Sequence, residues 1–232
     1  MLIVGIILGI IIIGVGTYFW FFDKNLDSNN KTNETSDKNE IKSTITPLLY
    51  EVTKEGSSNK MYLFGSIHLA NKSDLVFPKY VMDAYNNSHY LACEFDGVAY
   101  AKNQEKVMAD AMKMLYQDGT TIKDHLSEKT YNKLVDFLTK KNAYINVYEQ
   151  YKLYFFVSLL SNLMAQDAKI NATGGVDDYF EQKAYEDKKT VLEVESYDYQ
   201  MNLFEEFPDE LYDLMLSEEI DNYEESVAGL QG

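Results

Sequence analysis

The sequence predicts an α/β fold in which a small mixed sheet is covered by helices and the second half of the chain is rich in helices. Short apolar runs of strand length lie at 48–52, 61–67, 90–95 and 190–195, bounded by turn residues. Longer segments between and after them carry apolar residues at helical spacing. The first two runs are close in sequence, so they predict an antiparallel hairpin, which makes the sheet mixed.

Composition limits the possible functions. The chain has 232 residues, 46% of them hydrophobic, which is enough for a core in one ordinary domain. Its formal net charge is −16, and all 21 basic residues are lysine. This acidity predicts no nucleic-acid partner, because few charges would neutralise phosphates. The single cysteine, Cys93, excludes an intramolecular disulfide and a cysteine-based zinc site, and in an apolar strand it is interpreted as a small core residue.

Residues 2–22, LIVGIILGIIIIGVGTYFWFF, contain no charge. As a helix at about 1.5 Å per residue they extend about 31 Å, the hydrocarbon thickness of a bilayer. Tyr18, Trp20 and Phe21 lie at one end, as in an interfacial aromatic belt. The run lacks a basic n-region and an A-x-A cleavage site, so the transmembrane anchor 1–22 is predicted to be uncleaved. A buried core helix is the alternative, but one this long and apolar on all sides is rare.

A polar linker follows the predicted anchor. Residues 23–46 are dominated by Asn, Ser, Thr, Lys and Asp without apolar periodicity, which predicts a disordered tether to a domain at 47–232. Lys24, Lys31 and Lys38 flank the anchor on this side. Under the positive-inside rule these lysines alone favour a cytoplasmic domain.

The elements of the first half follow from local signals. The loop at 54–60 is rich in Gly, Ser and Asn, as expected between hairpin strands. Pro78 begins a helix that runs to about residue 89. Apolar spacing predicts a helix over 100–116, and another is expected over 127–140.

The second half is organised around an aromatic and aliphatic segment at 148–168. Polar residues interrupt it, so it is too short to span a membrane and is predicted to be the central core helix. The alternative is a hydrophobic groove for a peptide or lipid. A helix over 176–187 follows Gly174-Gly175, and acidic amphipathic helices are expected over 197–216 and 217–228.

A candidate site follows from the polar residues at the ends of two strands. Gly65-Ser66-Ile67-His68 closes one strand, and Glu94 and Asp96 end the next. If the two strands are parallel neighbours, His68 and Glu94 meet at the carboxyl edge, where open α/β sheets bind ligands. An imidazole facing a carboxylate suits a metal or acid–base site. The alternative is that His68 caps a strand and the two acids are solvated loop residues.

Two sequence blocks carry a resemblance to a known family. The first is LFGSIH, then a helix of the PKYVMDAYNNS type, then LACEFD. The second is GVDDYF from Gly175, then a strand that ends in Glu195, with Gln200 five residues later. In this order and at this separation, they resemble the TraB/GumN family, which includes TIKI-like and pheromone-shutdown proteins. The resemblance covers about Leu48 to Pro208.

The resemblance implies a fold related to the erythromycin esterase and ChaN-like group and metal-dependent hydrolysis of a peptide or protein. His68 would be a metal ligand or general base, Glu94 a second ligand or acid–base partner, and Glu195 a further ligand. Imidazole and carboxylates suit Mn, Co, Fe or Zn as the divalent metal. The supporting residues in this interpretation are Gly65, Asp96 and Gln200.

Other ionisable residues near these motifs are expected to be structural. Asp177 lies in the first turn of its helix, where a carboxylate stabilises the N-terminus. His89 lies at a helix end and His125 in a surface turn. None of the three is predicted to bind a metal.

The resemblance also bears on location and completeness. Family members generally work outside the cytoplasm, so it implies a single-pass cell-membrane protein with an extracellular domain. Family members also continue into a segment with an arginine and a second G-x-x-H motif. This sequence has neither, so the domain is expected to be C-terminally incomplete. Two functions stay open: a membrane-anchored hydrolase, and a non-catalytic surface protein that binds or sequesters a peptide signal.

Overall fold

The computed structural model describes residues 47–71, 75–170 and 174–231. The strands of these ranges are β1 (Leu49–Thr53), β2 (Lys60–Phe64), β3 (Tyr90–Cys93) and β4 (Thr190–Glu193). The helices before the central segment are α1 (Lys79–Asn87), α2 (Gly97–Lys102), α3 (Gln104–Lys113), α4 (Ile122–His125) and α5 (Glu128–Lys140). A 3-10 turn at Asn146–Gln150 precedes α6 (Leu153–Asp167), α7 (Val176–Glu186), α8 (Tyr197–Glu205), α9 (Asp209–Asp221) and α10 (Tyr223–Leu230).

The four strands form two separate two-stranded sheets. The predicted hairpin is present, with β1 and β2 antiparallel and Leu49 opposite Phe64. The second sheet pairs β3 with β4 in parallel, with Tyr90 opposite Thr190. The α/β class and the helix-rich second half are confirmed. The prediction of a single mixed sheet, however, is wrong for the described residues, because β2 and β3 lie in different sheets.

The chain after β2 explains why β2 and β3 are not neighbours. The strand ends at Phe64, although the Gly65 amide still donates to the Leu48 carbonyl at 2.9 Å. Farther on, the Ile67 carbonyl accepts from the Val176 amide of α7 at 2.8 Å. The segment after β2 therefore satisfies its backbone against the start of a helix.

The two sheets pack by one face on the same pair of helices. Val81 and Tyr85 of α1 and Val176 and Phe180 of α7 form a buried apolar cluster. Residues from both sheets pack against this cluster, and they are Leu49, Phe64 and Leu91. The hairpin and the parallel pair thus share one helical layer, and this layer carries the residues of the candidate site.

The helical half is built around α6, which is buried along most of its length. Its aliphatic and aromatic residues share the largest core cluster with residues of α5 and α9, and α6 contacts α9 and α10. The predicted central core helix is confirmed, although it begins at Leu153 rather than at Tyr148.

Two predicted helices are each divided in the structure. The helix expected over 100–116 is broken at Asn103, whose side chain accepts a hydrogen bond from the Lys106 amide and caps α3. The helix expected over 197–216 is broken at Pro208, which precedes the first residue of α9. The last helix then begins at Tyr223.

The predicted anchor at 2–22 and the linker at 23–46 lie outside the described residues. Within the described ranges, no helix combines the length and the apolar character needed to cross a bilayer.

Candidate functional site

The parallel pairing of β3 and β4 brings two glutamates to one edge. The Val194 amide donates to the Cys93 carbonyl at 2.9 Å, and the Glu195 amide donates to the Glu94 carbonyl at 2.8 Å. Glu94 and Glu195 therefore leave the sheet side by side at its carboxyl end. Both are exposed, as ligand-binding groups at such an edge are.

A buried amide joins these two carboxylates. The Gln200 side chain is 2% exposed, in the first turns of α8. Its Nε2 atom donates to Glu94 Oε2 at 3.1 Å and to Glu195 Oε2 at 3.2 Å. One side chain thus fixes the orientation of both glutamates, which is how a rigid site is held in place.

His68 pairs with Asp177, the second residue of α7. The imidazole Nδ1 lies 2.5 Å from Asp177 Oδ2, and the Ser66 hydroxyl donates to Asp177 Oδ1 at 2.5 Å. The carboxylate therefore faces two groups of the segment after β2. We expected Asp177 to serve only the helix terminus, but the structure makes it the partner of His68.

Gly175 allows this pairing, because the backbone of α7 meets the backbone of His68 there. A Cβ atom on Gly175 would lie 2.6 Å from the His68 carbonyl oxygen and 2.7 Å from its Cα. No side chain fits at that distance, so only glycine permits this approach. Gly65 meets the backbone much less closely, since a Cβ there would be 3.5 Å from Leu48 Cβ.

The pKa values of the pair move in opposite directions. Burial of His68 opposes its charged form, but the hydrogen bond and charge of Asp177, with smaller effects of Glu94 and Asp178, raise the imidazole pKa above its usual value. Burial likewise opposes ionisation of Asp177, yet His68 and Ser66 lower its pKa overall. Both shifts favour an imidazolium beside a carboxylate.

Glu181 lies one helical turn beyond Asp177 and is 6% exposed. Burial, with the charges of Asp178 and Asp96, raises its pKa to about 8. Burial and the Glu181 carboxylate also raise the pKa of the Cys93 thiol. Cys93 therefore stays a thiol near neutral pH and is not a nucleophile.

Asp96 has a structural role in this neighbourhood. Its side chain accepts from the Ala99 amide at 2.8 Å and caps α2. The Tyr185 hydroxyl donates to the same carboxylate at 2.6 Å. Both contacts hold α2 against α7, so Asp96 supports the site through the helices rather than by facing His68.

Two contacts of this arrangement bear on metal binding. Asp177 engages Nδ1 of His68, and Gln200 holds one oxygen each of Glu94 and Glu195. In the described part of the chain, no three side chains of His, Cys, Asp or Glu are grouped so as to hold a metal ion. Binding of a metal by the predicted ligand set His68, Glu94 and Glu195 therefore stays a prediction.

His125 lies in a separate cluster. Its Nδ1 is 2.8 Å from Asp209 Oδ2, its Nε2 is 2.8 Å from Thr120 Oγ1, and its ring stacks on Tyr116 at 4.1 Å. The order of hydroxyl, imidazole and carboxylate resembles a catalytic triad. The Thr120 hydroxyl, however, donates its one proton to Asp118 at 2.6 Å. The cluster therefore has a structural role, since it joins the turn around α4 to α9. The third histidine, His89, is exposed just before β3.

Sequence reasoning missed three members of the site: Ser66, Asp177 as the histidine partner, and Glu181. One signal was available for Glu181. In α7 the residues Val176, Phe180 and Ala184 are buried, and Glu181 is the acid on that buried side. No local signal pairs Asp177 with His68, because the two lie more than one hundred residues apart.

Comparison with known proteins gives one match. A family model described as the TraB/PrgY/gumN family matches residues 48–231. No curated protein matches the chain, and no solved structure matches it.

Proposed function

Because this chain belongs to the TraB/PrgY/gumN family, we propose that it is a hydrolase of peptides or proteins in which His68 is the general base. The observation that supports this best is the contact between His68 Nδ1 and Asp177 Oδ2. A carboxylate on Nδ1 fixes the ring and stabilises the imidazolium that forms during proton transfer. The exposed Glu94, whose charge acts on His68, lies on the side where a substrate would bind.

The reaction uses this pair as follows. The neutral form of His68, which is present above its raised pKa, takes a proton from water through Nε2 while the water oxygen bonds to the carbonyl carbon of the substrate. The imidazolium then returns the proton to the leaving nitrogen as the carbon–nitrogen bond breaks. Asp177 stays ionised throughout, and one water is consumed for each bond cleaved.

A divalent metal remains a prediction from the family resemblance alone. If one binds after rearrangement of Gln200, the residues that would hold it are His68, Glu94 and Glu195, and it would supply Lewis acidity at the scissile carbonyl. Elemental analysis of the purified chain and its His68→Ala variant tests this directly. Stoichiometric metal that disappears in the variant is the supporting result, and metal retained in the variant would contradict the ligand set.

The proposed activity is tested with His68→Ala, Asp177→Asn and a matched His89→Ala control. We expect His68→Ala to abolish cleavage of an unstructured protein substrate such as casein and Asp177→Asn to reduce it about 10²-fold or more. His89→Ala changes an exposed histidine near β3, so its activity should equal that of the parent protein. Cleavage that persists unchanged in His68→Ala would refute the proposal.

A non-catalytic role in peptide capture is the second candidate. It is favoured by the hydrogen bonds from Gln200 to both Glu94 and Glu195, which hold the carboxylates as fixed acceptors for a ligand. Binding of a peptide without any cleavage product would support this candidate over the hydrolase.

The cellular setting is a further part of the proposal. A charge-free run at 2–22 of bilayer length supports a single-pass anchor, and the family resemblance supports an extracellular domain. Protease treatment of intact cells tests both. Loss of the domain from intact cells is the expected result, and complete protection would place the domain in the cytoplasm.

A further inference from the structure

The β1–β2 hairpin has two outer backbone edges, one on each strand. The Gly65 amide donates to the Leu48 carbonyl, and Leu49 lies opposite Phe64. Antiparallel strands alternate between hydrogen-bonded and non-hydrogen-bonded pairs. The backbone groups of Tyr50 and Leu63 therefore point toward each other, whereas those of their neighbours point outward.

The outward groups of β2 belong to Lys60, Tyr62 and Phe64, and those of β1 include Glu51. Among the residues that the structure describes, the sheet ends at these edges, and no further strand pairs with β2. An edge of unpaired amides and carbonyls is a template for another extended chain.

One face of the hairpin is also apolar and exposed. Tyr50 is 62% exposed, Met61 54%, Leu63 51% and Val52 39%. The register places Tyr50 beside Leu63 and Val52 beside Met61, so the four side chains form one patch. The opposite face, with Leu49 and Phe64, packs on α1 and α7. A contiguous exposed apolar patch marks a binding surface.

The free edge of β2 leads directly to the candidate site. The strand ends at Phe64, and Gly65, Ser66 and Ile67 connect it to His68. The exposed carboxylates at the end of the parallel pair are Glu94 and Glu195, and the whole chain carries a net charge of −16. A chain lying along β2 therefore passes from an apolar patch to an acidic end.

We propose that β2 binds an extended peptide as a third strand of the hairpin, with apolar side chains at alternate positions and a lysine or arginine near Glu94. The partner is a peptide because an extended backbone matches the unpaired edge, and it is basic because its charge complements the acids. About five residues of such a peptide cover β2. This inference rests on the proposed function, since the bound strand would be the substrate delivered to His68.

The test uses paired proline variants in the full chain, purified in detergent. Glu51 and Tyr62 lie opposite each other, and the amide of each points outward on its own edge. Tyr62→Pro removes an amide from the free edge of β2, and Glu51→Pro removes the matching amide from β1. Because neither amide bonds within the hairpin, proline is tolerated at both positions. Tyr62→Val removes the ring but keeps the amide.

The probe is an acetylated and amidated six-residue peptide that alternates valine and lysine, with glutamate replacing lysine as the charge control. We expect Tyr62→Pro to weaken binding about tenfold or more, because it loses a ladder hydrogen bond and places a ring against the added strand. Glu51→Pro and Tyr62→Val should stay within about twofold to threefold of the parent chain. The glutamate peptide should bind at least about tenfold more weakly than the lysine peptide.

Amide hydrogen exchange gives a readout that does not depend on the variants. Bound peptide should slow exchange at Tyr62 and Phe64 and leave Glu51 unchanged. Four results would each overturn the inference. They are equal weakening of binding by both proline variants, protection at the β1 edge, no saturable binding, and protection caused by self-association.

The same experiment separates this inference from the proposed function. Cleavage that depends on His68 but is equal in Tyr62→Pro and Glu51→Pro would overturn strand addition and leave the hydrolase intact. Binding with the expected protection at Tyr62 but without cleavage would support strand addition and contradict the hydrolase.

Discussion

Replacement of Gly175 by alanine should damage both the fold and the site. The backbone at Gly175 has φ −69° and ψ 174°, which alanine adopts freely, so the damage comes from space alone. The added Cβ would lie 2.6 Å from the His68 carbonyl oxygen. Both sides of this contact are backbone, so we expect the upper part of the overpacking range of about 1–3 kcal/mol.

Reduced freedom of the unfolded chain offsets about 0.4–1 kcal/mol of that cost. The net loss is then about 2 kcal/mol, which corresponds to a decrease in Tm of about 4–8 °C for a domain of this size. Thermal unfolding followed by circular dichroism measures it. An NMR titration of His68 should also show its raised pKa move back toward the usual value, as α7 and Asp177 are pushed away.

Gly229 provides the matched control. It lies in α10, and a Cβ there would meet nothing within 4 Å, so Gly229→Ala should leave Tm unchanged or raise it slightly. If Gly175→Ala unfolds at the temperature of the parent chain, and His68 titrates as before, the close approach of the two backbones is not what holds the site.

Three further predictions concern the ionisable groups. Burial raises the pKa of Glu219 from 4.5 to about 8, so the parent chain loses stability as pH rises from 4.5 to 8. In urea unfolding, Glu219→Gln should be more stable than the parent chain at pH 7 by on the order of 2–3 kcal/mol. At pH 4.5 the two proteins should differ little. Asp177→Asn removes the hydrogen bond and charge that raise the pKa of His68. The charged imidazole stabilises the fold below about pH 6.5, and this stability fades as pH rises through the folded pKa, so the variant should lose it. If the two residues are not paired, NMR titration of His68 and unfolding at two pH values would show no change in the variant. His125→Ala breaks the 2.8 Å contact with Asp209, so the free energy of unfolding in urea should fall by about 1–2 kcal/mol while peptide cleavage is unaltered. A loss of cleavage without destabilisation would show that this cluster is functional.

Local patterns allowed most elements to be predicted. The helix expected over 127–140 is α5, and the Ser127 hydroxyl accepts from the Thr130 amide at its start. The apolar segment around Leu153–Asp167 is the buried helix that its composition predicts. These features depend on residues within a few positions of one another, so a single sequence contains them.

The pairing of distant segments could not be predicted from local patterns in the sequence. Nothing local states that β3 pairs with β4 rather than with β2, since both choices give an apolar strand a parallel neighbour. The partner of His68 was missed for the same reason. Asp177 has an adequate local role at a helix N-terminus, and only the packing of α7 against the segment after β2 reveals its second role.

The order of assembly follows from the parallel pair. Tyr90 and Thr190 are opposite each other, so about one hundred residues must be made before β3 meets its partner. Closing a flexible loop of that length costs about 4 kcal/mol, and helices α2 to α7 reduce it by shortening the distance between the ends. On the ribosome the helical middle therefore has time to form first. Gln200 is made more than one hundred residues after Glu94, so its bonds to Glu94 and Glu195 cannot form until that length of chain has been synthesised.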